Sequence, residues 1–323
     1  MSVAVRIGLG LVVGLALGVV GAWAWLRGPD IPYAELEARY AGPGSAYVDL
    51  PGGLHVHYRS AGDPSRPVIV LLHGYGDAWT SWDGWTPVLE RDYRVISIDL
   101  PGHGLTRAPE GYVLTSNGHV EVVEGVARAL GLEHFTLAGN SMGGGVAWNY
   151  AVQHGERLSG LVLVDAAGWP AAPPKDLPLA FRILQYRAGR WFLAHIDNRP
   201  LIEAGLRQDV YDPSVITPAF VDRWAALQRA PGHRAILMSA NPASFATATP
   251  ELLGTIRVPT LVLHGENDTL IPLASAQRFA EAIPGARLVT YARVGHLPQV
   301  EIPERSAADV AAFVAAVTSA PTS

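Results

Sequence analysis

Short runs of Val, Ile and Leu recur through this chain, and each is followed by a segment of helix length. The runs at 68–72, 94–98, 135–138, 161–164, 260–263 and 287–291 lack apolar–polar alternation. Both faces of such a strand must be covered, which is how strands inside a parallel sheet read. Helical patterns at 79–90, 116–130, 142–154, 273–283 and 306–317 supply the covering layers. Strand, helix, strand in alternation demands right-handed crossovers. Runs at 46–50 and 54–58, joined by Pro51-Gly52-Gly53, form an antiparallel hairpin at one edge. The expected fold is α/β, with a mostly parallel eight-stranded sheet.

The alternation breaks once. From 169 to 253 no strand pattern appears, and several helical pieces rich in Trp, Phe and Leu take its place. This predicts an α-helical cap inserted after the sixth strand. It divides the chain into an N-terminal segment (1–30), a first part of the core (31–168), the cap (169–253) and a second part of the core (254–323). With 323 residues, 49% of them hydrophobic, one large core can be buried. A formal charge of −5 and scattered cations argue against nucleic acid as a partner. The absence of cysteine removes a thiol nucleophile, thiolate metal sites and disulfides together.

Residues 7–26 are uncharged and almost wholly apolar, between Arg6 and Arg27. At ~1.5 Å per residue the run reaches about 30 Å, the thickness of a hydrocarbon core. Trp23 and Trp25 stand at its end, where indoles favour the interface. Two readings remain open: an uncleaved transmembrane anchor, or a signal peptide cut near Ala22-Trp23-Ala24. Both lead to the expectation of a catalytic domain outside the cytoplasm, held at the membrane in the first case and exported as a soluble protein in the second.

Gly139-Asn140-Ser141-Met142-Gly143 fits G-x-S-x-G, and it closes one strand and opens the helix at 142–154. A serine on that turn is exposed above the sheet, with helix amides facing the reacting carbon. Its hydroxyl needs a base. Of 11 histidines, His296 alone follows the last strand, in Val294-Gly295-His296-Leu297-Pro298. The acid that orients it is read as Asp268, just past the strand at 260–263, with Glu266 and Asp165 as rivals. Oxyanion donors are expected from the backbone amides of Met142, after the nucleophile, and Tyr75, in His73-Gly74-Tyr75-Gly76. His73, Asp99 and His103 read as loop-bracing residues.

These four motifs and their order resemble the α/β-hydrolase superfamily from about residue 46 to 317. Within it, Gly139–Gly144 and Asp99–Gly104 are similar to capped esterases, monoacylglycerol lipases and carbon–carbon bond hydrolases; the N-terminal run is similar to membrane-bound monoacylglycerol lipases. The resemblance implies a Ser141, His296, Asp268 triad and an acyl-enzyme, with no cofactor or metal. Serine at the elbow disfavours haloalkane dehalogenases and related epoxide hydrolases, which carry aspartate there. Leu297 departs from the aromatic residue that typically follows the base in carbon–carbon bond hydrolases. A greasy cap (Trp169, Phe181, Leu184, Tyr186, Trp191, Phe192, Phe220, Trp224, Leu227) beside a membrane address suggests a lipophilic ester, such as a monoacylglycerol or medium-chain ester. The alternatives are a carbon–carbon bond hydrolase of dienone-type ring-cleavage products, and a noncatalytic binding protein on the same fold.

Overall fold

A computed structural model describes residues 13–14, 17–18, 21, 23, 26–114, 117–170, 177–239 and 246–319. Eight strands form one sheet: β1 (Ser45–Leu50), β2 (Leu54–Ala61), β3 (Val68–Leu72), β4 (Arg94–Ile98), β5 (Phe135–Asn140), β6 (Leu158–Val164), β7 (Thr260–Gly265) and β8 (Arg287–Tyr291). Their order is β1-β2-β4-β3-β5-β6-β7-β8, antiparallel at the β1–β2–β4 edge and parallel elsewhere.

Among the continuously described segments, the helices longer than one turn are α1 (Tyr33–Tyr40), α2 (Gly118–Ala129), α3 (Met142–His154), α4 (Leu179–Leu184), α5 (Arg187–Leu193), α6 (Arg199–Asp209), α7 (Pro218–Gln228), α8 (His233–Ser239), α9 (Leu273–Ala282) and α10 (Pro303–Ser319). The unalternating strand runs are explained by two cores. On β3, Val70 and Leu72 pack with Trp148 of α3 and Val123 of α2, while Ile69 and Leu71 pack with Trp82, Trp85 and Val310 of α10. Both faces are therefore dry. At about 25 cal/mol per Å2, such burial is the main stabilising term.

The helix expected at 79–90 is broken into a 3-10 turn (Trp79–Trp82) and one α turn (Thr86–Leu89). Trp79, Trp82 and Trp85, three residues apart, are all buried, and a three-residue period is that of the tighter helix. Gly84 presses on α10: a Cβ there would lie 2.5 Å from Cβ of Pro303. From Leu179 to Leu253 the described residues contain helices, 3-10 turns and loops but no strand, and several of them wall a cavity that reaches Asn140 and Ser141 at the end of β5.

Most of the apolar run 7–26 falls outside the described residues. Among the described residues no helix is long and apolar enough to cross a membrane. Where the run ends, its chain joins the cap: Leu26 carbonyl accepts from Asp197 N (2.8 Å), and Arg27 bridges Ile196.

Candidate active site

Ser141 stands between β5 and α3 with φ 53° and ψ −116°. A non-glycine residue at positive φ stores about 1–3 kcal/mol of strain and persists only where surrounding contacts fix it. Here they do: Ser141 N donates to Val164 carbonyl, and its own carbonyl accepts from Gly145 N and Ala167 N, each at 3.0 Å. Gly143 is required by close approach, since a Cβ would sit 2.3 Å from Leu72 carbonyl oxygen.

The loop after β3 is pressed onto this elbow. A Cβ on Gly74 would lie 3.3 Å from Cβ of Ser141. His73 holds the loop, donating from Nδ1 to Gly74 carbonyl (2.8 Å) and accepting at Nε2 from Leu100 N (3.0 Å). Burial keeps this ring neutral, with its pKa below the ordinary value. Among the described residues neither the Tyr75 nor the Met142 amide has a hydrogen-bond partner. Both are free to receive an anionic oxygen, and Tyr75 lines the same cavity as Ser141.

His296 lines that cavity too, with Nδ1 2.7 Å from Oδ2 of Asp268. Asp268 Oδ1 accepts from Leu270 N (2.7 Å) and Ile271 N (2.9 Å), which fixes the carboxylate. Burial alone would raise the Asp268 pKa, but the His296 charge and hydrogen bond hold it below the usual range. Burial alone would lower that of His296, but Asp268 raises it above the ordinary value. The pair thus favours Nδ1 as donor and leaves Nε2 to accept a proton. The Ser141 hydroxyl makes no hydrogen bond to His296 among the described contacts; such contacts often tighten only when substrate binds.

The rivals lie elsewhere. Glu266 is exposed and accepts from Thr290 Oγ1 (2.8 Å) on the outer strand. Asp165 is buried behind Asp268, accepting from Gly265 N (2.9 Å) and 3.2 Å from Nδ1 of His264. Burial first, then the Asp268 charge, push its pKa well above the carboxylate range. Asp165, His264 and Asp268 bring possible ligand atoms within 4.8 Å of one another, but Asp268 is engaged by His296 and His264 Nε2 by Ile271 carbonyl (3.1 Å). Asp99 organises its loop, accepting from Trp79 N and Leu105 N and pairing with His57 (2.7 Å). His103 Nδ1 meets Pro101 carbonyl in the same loop.

Three holders of the His296 loop escaped sequence reasoning. Asn140 Nδ2 donates to His296 carbonyl (3.1 Å), Asp209 carbonyl accepts from His296 N (2.7 Å), and Glu301 accepts from Gly295 N (2.8 Å) and Tyr211 N (2.7 Å). Only Asn140 carried a signal, its place beside Ser141. Of the greasy cap residues, Phe181, Leu184 and Trp224 line the cavity, with Leu206 and Leu297. Trp169 packs on Phe279 and Leu227 is buried against Trp79. Among the described residues that line the cavity there is no Lys or Arg; Asp77 and Asp209 line it, each pushed up to about 7 by burial.

Residues 67–303 match the family model of the alpha/beta hydrolase fold. The chain is 32% identical over 258 residues to the 2-hydroxy-6-oxo-6-phenylhexa-2,4-dienoate hydrolase of Comamonas testosteroni, covering 76% of this chain and 86% of that one. Among solved structures, it is similar to a meta-cleavage product hydrolase from Pseudomonas fluorescens IP01 (TM-score 0.72, 29% identity, 84% of this chain and 97% of that one). It is also similar to a membrane phospholipase A described as a bacterial virulence factor (TM-score 0.71, 25% identity, 98% of this chain and 99% of that one). A strained elbow serine, a histidine–carboxylate pair over the same sheet edge and a family match spanning both lead to one conclusion: this hydrolase belongs to the alpha/beta hydrolase fold family.

Proposed function

We propose that Ser141 is the nucleophile, His296 its base and Asp268 the residue that orients and charges the base. The 2.7 Å bond between His296 Nδ1 and Asp268, in a cavity shared with Ser141, carries this reading. His296 Nε2 removes the Ser141 proton as Oγ adds to a carbonyl carbon. The oxyanion is received by the Tyr75 and Met142 amides. Collapse of the adduct expels the leaving group, which takes the proton from His296, and leaves an acyl-Ser141. Water, deprotonated by His296, then releases the acid. A noncatalytic binding protein would have no use for the strained elbow or the free amides. If purified S141A kept near-wild-type turnover, the assignment would fall.

Two substrate classes compete for this site. The names of the relatives favour the carbon–carbon bond hydrolases, the alternative reading of the sequence, over the ester expected first. The cavity's own chemistry favours a neutral lipophilic ester. A dienoate brings a carboxylate into the site, where the described lining offers no Lys or Arg to pair with it. Taking a carboxylate out of water without a paired cation is costly, and Asp77 and Asp209, raised to about 7 by burial, supply none. Leu297, buried in an apolar cluster with Leu206 and Val221, adds no polar or aromatic handle. The near end-to-end likeness to a membrane phospholipase A supports the same side. The deciding experiment compares kcat/KM for a series of acyl esters with that for a 2-hydroxy-6-oxo-dienoate, S141A as control. Higher kcat/KM for the dienoate would establish the carbon–carbon reading in place of the ester.

A further inference from the structure

The outer face of the cap exposes several large apolar side chains. Of the large apolar side chains exposed among the described residues, all but Val113, Tyr211 and Leu252 lie on the N-terminal run, on α4 and α5 or in the turn joining these two helices. Tyr186, Trp191 and Leu179 are 68%, 59% and 54% exposed. Large exposed apolar patches mark binding surfaces. The charges here are of one sign. From 177 to 196 the sequence has no Asp or Glu, while Arg182 and Arg187 are exposed. Aromatic side chains beside exposed arginines fit a bilayer interface: the rings sit at headgroup depth and the guanidinium groups meet lipid phosphates.

Position points the same way. The α4–α5 pair is fastened to the end of the apolar N-terminal run. Trp23 stacks on Trp191 with ring centroids 5.7 Å apart, and Gly28 N donates to His195 carbonyl (3.2 Å). The inner side of the same two helices is the cavity wall, through Phe181, Leu184 and Leu193. One thin layer thus has an aromatic, cationic outside and an apolar inside that faces Ser141.

We infer that the outer face of α4 and α5 docks on an anionic lipid bilayer, so that substrate reaches Ser141 from the membrane across this layer. The inference rests on reading the N-terminal run as a membrane segment and deepens the lipophilic-ester proposal. Docking itself is independent of which residue is the nucleophile.

The absence of cysteine makes the test direct. Full-length Y186C, carrying one environment-sensitive fluorophore, is reconstituted into vesicles of phosphatidylcholine and phosphatidylglycerol containing headgroup-nitroxide lipid. L252C, an exposed apolar position remote from α4 and α5 in sequence, in the turn Pro250–Leu253, is the reference, and R187C is a second probe should Y186C fold poorly. Quenching at least several-fold stronger at 186 or 187 than at 252, reduced in an R182Q background and in vesicles without phosphatidylglycerol, is expected. Equal quenching at the two positions overturns the docking face while leaving the membrane segment intact. Failure of the wild-type chain to float with vesicles overturns both. Quenching absent at 186 and 187 with label-to-label transfer between protein copies would assign the face to a second copy of the chain and sink the proposal. Ser141 reactivity with a fluorophosphonate, read in parallel, reports separately on the nucleophile.

Discussion

The floor and the roof of the active site are built to different standards. On the floor, β5 and β7 have no residue outside the core, and the elbow, the Tyr75 loop and Asp268 hang from strand ends braced on both sides. In the roof, α4 has no buried residue and α5 only Leu193. Reacting groups need positions fixed to a fraction of an ångström. A layer that admits an apolar substrate needs little more than a greasy inner face, and weakly buried elements open at low free-energy cost. The proposed chemistry belongs to the floor and the proposed admission of substrate to the roof.

The comparison breaks first at the nucleophile. S141A is expected to lower kcat by about 10^5- to 10^6-fold, with the fold unchanged by circular dichroism. D268N follows, at about 10^4-fold, because the amide misdirects the His296 tautomer. D165N is expected to cost kcat less than tenfold, since Asp165 does not touch His296; equal losses in D165N and D268N would reverse the assignment of the acid.

Stability sharpens the same contrast. W85A empties a fully buried site and is expected to cost about 3–5 kcal/mol in denaturant unfolding. The exposed R187Q in the roof is expected to stay within about 0.5 kcal/mol.

The pH dependences run from the floor as well. With His296 as the proposed base, turnover requires its neutral form; its pKa is raised, so activity is expected to rise with pH and reach its plateau only above the ordinary histidine value. The same shift stabilises the fold most below the unfolded pKa of this residue, and that contribution fades as pH rises through the folded one. His73, His103, His119 and His233 shift the other way, chiefly by burial, His119 down to about 3. Below about pH 6.5 the unfolded chain binds these protons first. These four histidines therefore contribute a loss of stability on acidification. It is opposed by His296 and by Asp77, Asp165 and Asp209, whose raised pKa values make the folded chain bind protons; the urea midpoint between neutral and mildly acidic pH reads the balance.

The smallest effect expected lies in the roof. F181A is expected to raise KM for long acyl esters several-fold while leaving an acetyl ester unchanged, because Phe181 contributes only apolar contact to the cavity. A loss of kcat on both esters would show that the roof takes part in the chemistry.

The sheet, the elbow and the cap's place in the chain were legible because each is written in local pattern. Unalternating apolar runs require two covering layers, and G-x-S-x-G between a strand and a helix has one geometry. The run at 79–90 was misjudged because Trp82 and Trp85 answer to α10 and Trp79 to α1 and α7, all distant in the chain, rather than to a helical period. Polar partnerships were harder still. Asp165 and Asp268 follow adjacent parallel strands, and no property of either residue announces which meets the base. The chain by itself determined which surfaces must be buried, since burial is a property of residue type and spacing. Only the tertiary structure decided that Asp268 meets His296, and that Asn140, Asp209 and Glu301 hold its loop. Hydrogen bonds depend on distances of a few ångströms between residues widely separated in sequence, which the packing of the whole core sets.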